Sequence, residues 1–342
     1  MTRQTWTVIA AALMLIASAL AVTLVPVGFV VWSPGSTHDL LASTKVAAVD
    51  SDAAPVERTG KLLLTTVAVT APESQLTWPE TVVAYFSPDR EVLPREVVYQ
   101  PGATAEDIVE GEADSMASSK TAATVAGVRA AGIDVTQLPE VATVSDSGPA
   151  AGVLQRGDLI VKVNQQSVNF SSQVRAIYQQ GKVGTTYTFS ILRDSAPLEK
   201  QVTTRSTNED PDIPIVGFTM TVGYTYQPHP EFDFGVDPAI GGSSAGLAFA
   251  LTVADLIGPQ DLLDGRVVAA TGVIDAEGKV GSVGGVREKL IAAKRDGAAA
   301  LLFPRDNCAD IVPDPAVQEI PVETLDQAIQ VLTGAAAAPS CQ

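Results

Sequence analysis

An uncharged N-terminal run limits the fold of this chain more than any other feature. From Trp6 to Trp32 there is no charged residue, and as a helix this run would rise roughly 40 Å, enough to cross the hydrocarbon core of a bilayer. Arg3 precedes the run and Asp39 follows it, an asymmetry that favours a cytoplasmic N-terminus. The sequence therefore predicts a single-pass membrane anchor with the rest of the chain outside the cytoplasmic membrane.

A cleaved signal peptide is the alternative interpretation of the same run. Ala19-Leu20-Ala21 has the small residues of an A-x-A cleavage site, and cleavage there would leave Val22 at the mature N-terminus. The apolar run continues well past this point, which favours an uncleaved anchor. Both interpretations place the bulk of the chain outside the cytoplasm.

The charge balance argues against a nucleic acid partner. The 342 residues carry a formal net charge of −17, from 22 basic and 39 acidic residues, and such a surface repels phosphate backbones. A hydrophobic content of 46% is sufficient for two cores of ordinary size.

The only two cysteines, Cys308 and Cys341, form no C-x-x-C pair, and His38 and His229 lie far from both in the sequence. No metal site is therefore predicted. In an oxidising compartment the two cysteines could form a disulfide that attaches the C-terminal tail. Two free thiols are the alternative.

The middle of the chain contains the segment Ser147-Gly-Pro-Ala-Ala-Gly152, followed by Leu154-Gln-Arg-Gly-Asp-Leu-Ile-Val-Lys-Val-Asn164. These motifs resemble the PDZ domains of exported bacterial proteases, and the resemblance covers residues 121–206. In such domains a peptide adds as an extra strand beside a helix, and a short loop holds its carboxylate. By position, the resemblance assigns the loop to Gly132, Ile133 and Val135 and the groove-lining helix residues to Val174 and Ile177. The alternative is that these five are ordinary loop and core residues.

A serine stands where a glycine-rich loop enters an apolar helix. Ile240-Gly-Gly-Ser-Ser-Ala-Gly246 runs directly into the apolar stretch 247–257, so Ser244 would lie among the free N–H donors of a buried helix N-terminus. A simple helix cap is the alternative. The segment also matches the G-x-S-x-G nucleophile elbow, but that fold needs a histidine after the serine. None follows His229, so the elbow is excluded.

A lysine can replace the missing histidine as the base if its pKa is lowered. Lys289 follows Val283-Gly-Gly-Val-Arg-Glu at the start of a predicted helix, and Ala292 and Ala293 one turn later place it on a small apolar face. Burial and the positive helix end both disfavour an ammonium there. An ordinary surface lysine is the alternative.

Taken together, these segments resemble the proteolytic domain of the Lon family over residues 213–334. The matching segments are 242–247, 270–274, 278–289, 293–297 and 301–304. The resemblance implies Ser244 as nucleophile, Lys289 as general base and Thr271 as the residue that orients the lysine amine. Backbone N–H groups near Ser243 and Ala245 would hold the oxyanion. Lon proteases usually have Asp-Gly-Pro before the serine, whereas this chain has Gly-Gly-Ser, and the role of Ser243 is unassigned.

We therefore expect an α+β protein with a transmembrane helix, a β-barrel-like PDZ domain with helices, and a Lon-type proteolytic domain. The strand 62–70 and helices within 103–131 fall in a segment without visible chemistry. The expected boundaries are 1–34 for the anchor, 35–120 for a connecting segment, 121–206 for the PDZ domain, 207–212 for a linker, 213–334 for the proteolytic domain and 335–342 for the tail.

The expected function is a serine endopeptidase that cleaves unfolded or membrane-proximal polypeptides. The chain has no G-x-x-x-x-G-K-[ST] motif, so we expect ATP-independent cleavage with no nucleotide and no cofactor. The sequence leaves a homo-oligomer open. A non-catalytic PDZ scaffold that binds the C-termini of membrane partners is one alternative, and an amidase that acts on small amides is another.

Overall fold

The computed structural model describes residues 3–47, 57–206 and 210–341. The helices of this part are α1 Arg3–Leu24, α2 Leu40–Ser43, α3 Trp78–Tyr85, α4 Arg95–Val98, α5 Ala105–Ala130, α6 Ser171–Gln179, α7 Gly246–Ile257, α8 Val286–Arg295 and α9 Leu325–Leu332, with a short 3₁₀ helix at Arg305–Asn307. The strands are β1 Pro26–Val27, β2 Phe29–Asp39, β3 Lys45–Ala47, β4 Lys61–Val69, β5 Leu76–Thr77, β6 Glu91–Pro94, β7 Val135–Val144, β8 Leu159–Val163, β9 Gln166–Ser167, β10 Thr186–Arg193, β11 Ala196–Thr203, β12 Arg205–Ser206, β13 Pro214–Ile215, β14 Phe218–Tyr226, β15 Glu231–Asp233, β16 Val267–Ala270, β17 Val273–Ile274, β18 Val280–Gly281, β19 Ala300–Pro304 and β20 Gln318–Val322.

The apolar N-terminal run is only partly helical. Its mean hydropathy of 2.4 and length of 22 residues make α1 a candidate membrane span or a signal sequence, with a rise of about 33 Å. The expected helix up to Trp32 is wrong, because α1 ends at Leu24 and Phe29 begins β2. Pro26 lacks an amide hydrogen, Gly28 is a poor helix former, and the following Val30-Val31 favours a strand.

The chain divides into two compact units, and the first is discontinuous in sequence. Among the described residues, the first unit holds 3–47, 57–132 and 231–341, and the second holds 133–206 and 210–230. The second unit is thus inserted into the first.

One mixed sheet organises the first unit, in the order β20-β19-β16-β4-β2-β6. Strands β4, β16, β19 and β20 are parallel, whereas β2 pairs antiparallel with both β4 and β6. The expectation that 35–120 only connects two domains is therefore wrong. Leu62, Leu63 and Leu64 of β4 are buried, as expected for a run of consecutive apolar residues, which has to be covered on both faces of the sheet. The same residues pair with β16, so β4 belongs to the sheet of the first unit.

Two helices from distant parts of the sequence pack together in the first unit. The apolar helix α7 is buried from Gly246 to Asp255 and packs against α5. The approach is close at Gly127 of α5, where an added Cβ would lie 2.5 Å from the Cβ of Val253. Residues 121–130, which we expected in the PDZ domain, therefore belong to the first unit.

The second unit is a sheet in the order β11-β10-β8-β7-β14 with one helix, α6. Its core includes Val141, Ile160, Phe189 and Ile191. Strand β14 pairs with β7 along the whole length of both, so the expected proteolytic-domain start at 213 is also wrong. Of the expected linker 207–212, residues 207–209 lie outside the described residues, and 210–212 belong to this unit.

A disulfide joins Cys308 and Cys341, with Cα atoms 5.4 Å apart and a sequence separation of 33 residues. It attaches the residues that follow α9 to the turn after β19. Such a bond is compatible with an oxidising compartment.

The α5–α7 contact gives a matched pair of substitutions. We expect Gly127→Ala to lower the free energy of unfolding by about 1–3 kcal/mol, because the added methyl group would overpack the contact with Val253. Gly111→Ala makes the same change on the same helix where nothing lies within 4 Å, and it should raise stability by about 0.5–1 kcal/mol through helix propensity. Urea unfolding of the full chain measures both values, and equal effects at the two positions would contradict this packing.

Candidate active site

The backbone of Ser244 is held by the end of a central strand. Ser244 directly precedes Ala245, the N-cap residue of α7. Its carbonyl oxygen accepts hydrogen bonds from the N–H of Gly272 at 2.9 Å and from the hydroxyl of Thr271 at 3.0 Å. Because Thr271 directly follows β16, these bonds tie the serine loop to the sheet.

Helix α5 holds the same loop from the other side. The hydroxyl of Ser119 donates to the carbonyl of Ser243 at 3.1 Å, and the N–H of Gly242 donates to the carbonyl of Glu112 at 3.0 Å. Gly241 allows a close approach, because an added Cβ would lie 2.6 Å from the Cβ of Glu112. The loop is therefore positioned by a helix in which the sequence analysis found no chemistry.

Lys289 is buried on α8, with 2% of its surface exposed. Its Nζ donates a hydrogen bond to Oγ1 of Thr271 at 3.0 Å, so one threonine contacts both the lysine amine and the carbonyl of Ser244. Burial lowers the pKa of Lys289 to about 7, and the neighbouring Glu288 opposes this only in part. Close to neutral pH, a large fraction of the amine is therefore uncharged and able to accept a proton.

Glu288 is also fully buried, and neither of its carboxyl oxygens has a hydrogen-bond partner in the described part of the chain. Burial raises its pKa. A negative charge on Glu288 favours an ammonium on Lys289. Burial of Lys289 has the larger effect, so the environment of Lys289 favours the neutral amine.

A cavity of about 440 Å³ contains both Ser244 and Lys289 on its wall. Pairing between β16 and β4 ends at Leu64, and the continuation of β4 from Thr65 to Val67 lines the cavity. The other walls are mostly apolar, and Glu112 is their one acidic residue within the described part of the chain. They include Trp32, Val69, Tyr99, Ile108, Val109, Met116 and Ile240.

The structure thus brings together Ser244, Thr271 and Lys289, with Ser243 and Ala245 on either side of the serine. The N–H of Ala245 belongs to the first turn of α7, where donors have no acceptor within the helix. No histidine lines the cavity in the described part of the chain. His38 contacts Ser36, and His229 stacks on Tyr226 in the second unit.

Sequence reasoning missed the contributions of α5 and β4 to this site. On α5, Ile108, Glu112 and Met116 recur every four residues and line the cavity together. This spacing in the sequence indicates one face of a helix, but it does not show whether that face lines a cavity or packs in the core. The contribution of β4 depends on where β16 ends, which no local pattern reveals.

The residues expected to form the peptide-binding loop and groove of the second unit lie in different elements. Gly132 lies in the turn after α5, within the first unit. Val135 begins β7, which pairs with β14 along its entire length, so a peptide cannot add on that edge. Val174 is fully buried in the core and Ile177 packs against it.

Among the described residues, this sheet has two edge strands, β11 at one end of its order and β14 at the other. A cavity of about 370 Å³ lies at the start of β14. It is lined by the end of β7, by residues 215–219 and by Tyr178 of α6. The edge strand, the loop before it and the helix beside it are the elements that strand addition requires.

Two family models match the chain. The PDZ domain matches residues 127–204, and the Lon protease (S16) C-terminal proteolytic domain matches residues 231–337. Neither match includes β2, β4 or β14, although these strands complete the two sheets.

Curated proteins similar to this chain include several Lon proteases. The Lon protease of Rickettsia bellii is 32% identical over 118 residues, which are 32% of this chain and 15% of the relative. The mitochondrial Lon protease homologue of Eremothecium gossypii is 42% identical over 98 residues, 27% of this chain and 9% of the relative. The archaeal Lon protease of Methanocaldococcus jannaschii is 34% identical over 93 residues, which are 27% of this chain and 14% of the relative. The chain thus spans less than a sixth of the length of these relatives.

Among solved structures, the PDZ domain of an SdrC-like protein from Listeria innocua is 25% identical. The match covers 24% of this chain and 92% of that domain, with a TM-score of 0.23. The two family matches and the sheets and helices of both units identify the chain as an α+β protein that carries a PDZ domain and a Lon-type C-terminal proteolytic domain.

Proposed function

We propose that this chain is an ATP-independent serine endopeptidase with a Ser244–Lys289 dyad. The observation that carries the proposal is the buried amine of Lys289, hydrogen-bonded to the same threonine that holds the backbone of Ser244. A lysine whose pKa is about 7 can act as a general base at neutral pH.

In this mechanism, Oγ of Ser244 attacks the peptide carbonyl and Lys289 takes the hydroxyl proton. The protonated lysine then gives the proton to the leaving amine, and water hydrolyses the acyl-enzyme by the same route in reverse. Thr271 orients the amine throughout. Backbone N–H groups at Ser243 and Ala245 stabilise the oxyanion at the N-terminus of α7.

The cavities support an extended polypeptide as the substrate. The edge of β4 beyond Leu64 offers backbone groups to a strand-like peptide beside Ser244. A second cavity of about 710 Å³ shares Pro72, Tyr99 and Ile108 with the first and extends to Gly28 and Phe29, shortly after the end of α1. This continuity supports cleavage of unfolded or membrane-proximal segments, and the absence of a P-loop motif from the sequence supports cleavage without ATP.

The location follows from α1 and its flanking charges. We propose that α1 remains as a single-pass anchor with its N-terminus in the cytoplasm, so that the second unit and the part of the first unit that follows α1 lie on the outer side of the membrane. The apolar composition of α1 and the position of Arg3 at its start support this orientation.

The PDZ domain would select polypeptides by their C-termini. The proposed site is the free edge of β14 together with the loop before it, which replaces the loop at Gly132–Val135 expected from the sequence. A bound peptide would pair with β14, and its carboxylate would reach the backbone N–H groups near Gly217.

Substitutions in the dyad test the proposed chemistry. We expect Ser244→Ala and Lys289→Met each to reduce kcat/KM for an unstructured peptide by several orders of magnitude, and the double variant to be no worse than either single one, because the two residues act as a unit. Lys294→Met, on the exposed side of the same helix, should leave kcat/KM unchanged. Loss of labelling by a serine-reactive fluorophosphonate in folded Ser244→Ala identifies the nucleophile. Full cleavage by that variant would refute Ser244 as the nucleophile, whereas a wild type that neither cleaves nor reacts with the probe would favour the non-catalytic scaffold.

The lowered pKa of Lys289 favours catalysis near neutral pH but lowers the stability of the fold there. The value of kcat/KM should rise with pH to a plateau above about pH 7, because only the neutral amine accepts the proton. In the unfolded chain the lysine has its ordinary pKa of 10.5, so unfolding takes up a proton between the two values. The stability cost is therefore complete below about pH 7 and disappears above 10.5.

Lys289→Met removes this cost, and it should stabilise the fold at pH 7 by on the order of a few kcal/mol. The advantage should decrease as the pH rises toward 10.5. Thermal unfolding of wild type and Lys289→Met across this range measures the difference, with Lys294→Met as the control. A variant that melts below wild type at pH 7 would contradict a buried neutral lysine.

If peptides bind at the edge of β14, a negative charge added near the start of this strand should weaken their binding. Thr219→Asp places a carboxylate on the cavity wall, and we expect it to weaken binding of a peptide with a free C-terminus by about tenfold, a typical electrostatic penalty. Thr221→Asp on the same strand lies outside the cavity lining and should have little effect. An amidated peptide separates carboxylate recognition from strand pairing. If both threonine variants bound the peptide equally well and Ile133→Asp lost binding, the peptide-binding site would instead be the loop at residue 133.

A further inference from the structure

Helix α3 carries its large apolar side chains on the outside. Trp78, Val82, Tyr85 and Phe86 follow the i, i+4, i+7, i+8 spacing of a single helix face. All four are exposed, and Tyr85 and Phe86 reach 71% and 79%. Val83 continues this face and is also exposed.

The inward side of α3 has the opposite character. Thr81 and Ala84 are its buried residues, so the helix contacts the rest of its unit through small side chains. A helix on the surface of a soluble domain normally buries its large apolar residues and exposes its polar ones. The reversed arrangement on α3 indicates that another apolar medium covers these side chains.

The start of α3 is fixed beside the end of α1. Strand β1 follows α1 and pairs with β5, so that Pro26 lies opposite Thr77. Thr77 is the N-cap residue of α3, and α1 also packs against α3. The exposed face is therefore continuous with the candidate membrane span.

We propose that α3 lies in the interface of the lipid bilayer, with Trp78, Val82, Val83, Tyr85 and Phe86 inserted among the headgroups and upper acyl chains. The proposal rests on the membrane anchor proposed above. Tryptophan and tyrosine are the side chains enriched at this depth, because their rings combine an apolar body with a polar group. An amphipathic helix of this kind buries its apolar face only a few ångströms into the boundary region.

This second contact would restrict rotation of the first unit about the anchor. A single helix followed by a short connection leaves a domain free to tilt, whereas α1 and α3 together define a plane. Because the second cavity includes Gly28 and Phe29, the path to Ser244 would be held close to the membrane surface. Substrates that emerge from the bilayer would reach this opening first.

The test uses the full-length chain reconstituted in vesicles of phosphatidylethanolamine and phosphatidylglycerol. Val83→Cys and Phe86→Cys are labelled with the environment-sensitive fluorophore NBD, and Val312→Cys is the control, because Val312 is an equally exposed apolar residue of the same unit. The two native cysteines are joined in a disulfide, so only the introduced thiol reacts. We expect blue-shifted emission at 83 and 86, quenched by a spin-labelled lipid, and neither effect at 312.

A second measurement avoids added labels. In a Trp6→Phe background, brominated lipids should quench tryptophan fluorescence, and Trp78→Phe should remove most of that quenching. The proposal for α3 would be overturned if NBD at positions 83 and 86 showed the same emission of an aqueous environment as at position 312, and if Trp78→Phe caused no loss of quenching.

Carbonate extraction of the same vesicles tests the anchor separately. Retention of the chain together with a water-exposed α3 would refute only the inference, whereas extraction of the chain would refute the anchor. Fluorophosphonate labelling of Ser244 in each variant reports independently on the active site. A labelled serine shows that the substitutions at 83, 86 and 78 left the catalytic unit folded.

Discussion

The hydrogen bond between Lys289 and Thr271 is the interaction on which the candidate site depends. It gives the buried amine a polar partner, without which burial of this group would cost several kcal/mol more. The same threonine donates to the carbonyl of Ser244, so the position of the base and that of the serine loop are set by one side chain. Since Thr271 directly follows β16, the geometry of the site derives from the central sheet.

The sheet in turn depends on residues that precede the second unit in the sequence. Strands β2 and β4 complete it, and α5 both packs against α7 and hydrogen-bonds the serine loop. The family match to the proteolytic domain begins only at residue 231. The catalytic unit is therefore larger than the matched region, and its first part lies about 100 residues or more before the serine.

Local patterns in the sequence were sufficient for part of this arrangement. The glycine-rich loop before an apolar helix predicted the place of Ser244, and Ala292 and Ala293 predicted the buried face that contains Lys289. These features are local, because helix periodicity and loop composition act over one or two turns. The same reasoning identified a strand at 62–70, which corresponds to β4.

Long-range pairing could not be predicted in this way. The neighbours of β4 and the pairing of β14 with β7 join segments far apart in the sequence, and single-sequence patterns do not specify strand partners. The proposed groove of the PDZ domain depends on such pairing, because the strand that flanks it comes after the rest of the PDZ sheet in the chain. The early end of α1 was not predicted because the residues after Leu24 are as apolar as those before it, although Pro26 and Gly28 end the helix.

The insertion of the second unit changes what a single break in the chain would do. In two domains joined by one linker, one proteolytic cut releases the recognition module from the enzyme. Here the second unit is attached at both of its ends, after Gly132 and before Glu231, so a cut at either connection leaves it tethered through the other. A truncated chain that begins near residue 213 would lack three strands of its sheet, β2, β4 and β6, and the helix that supports the serine loop. The inserted unit can therefore be exchanged as a cassette, whereas the catalytic unit cannot be cut out as one continuous stretch.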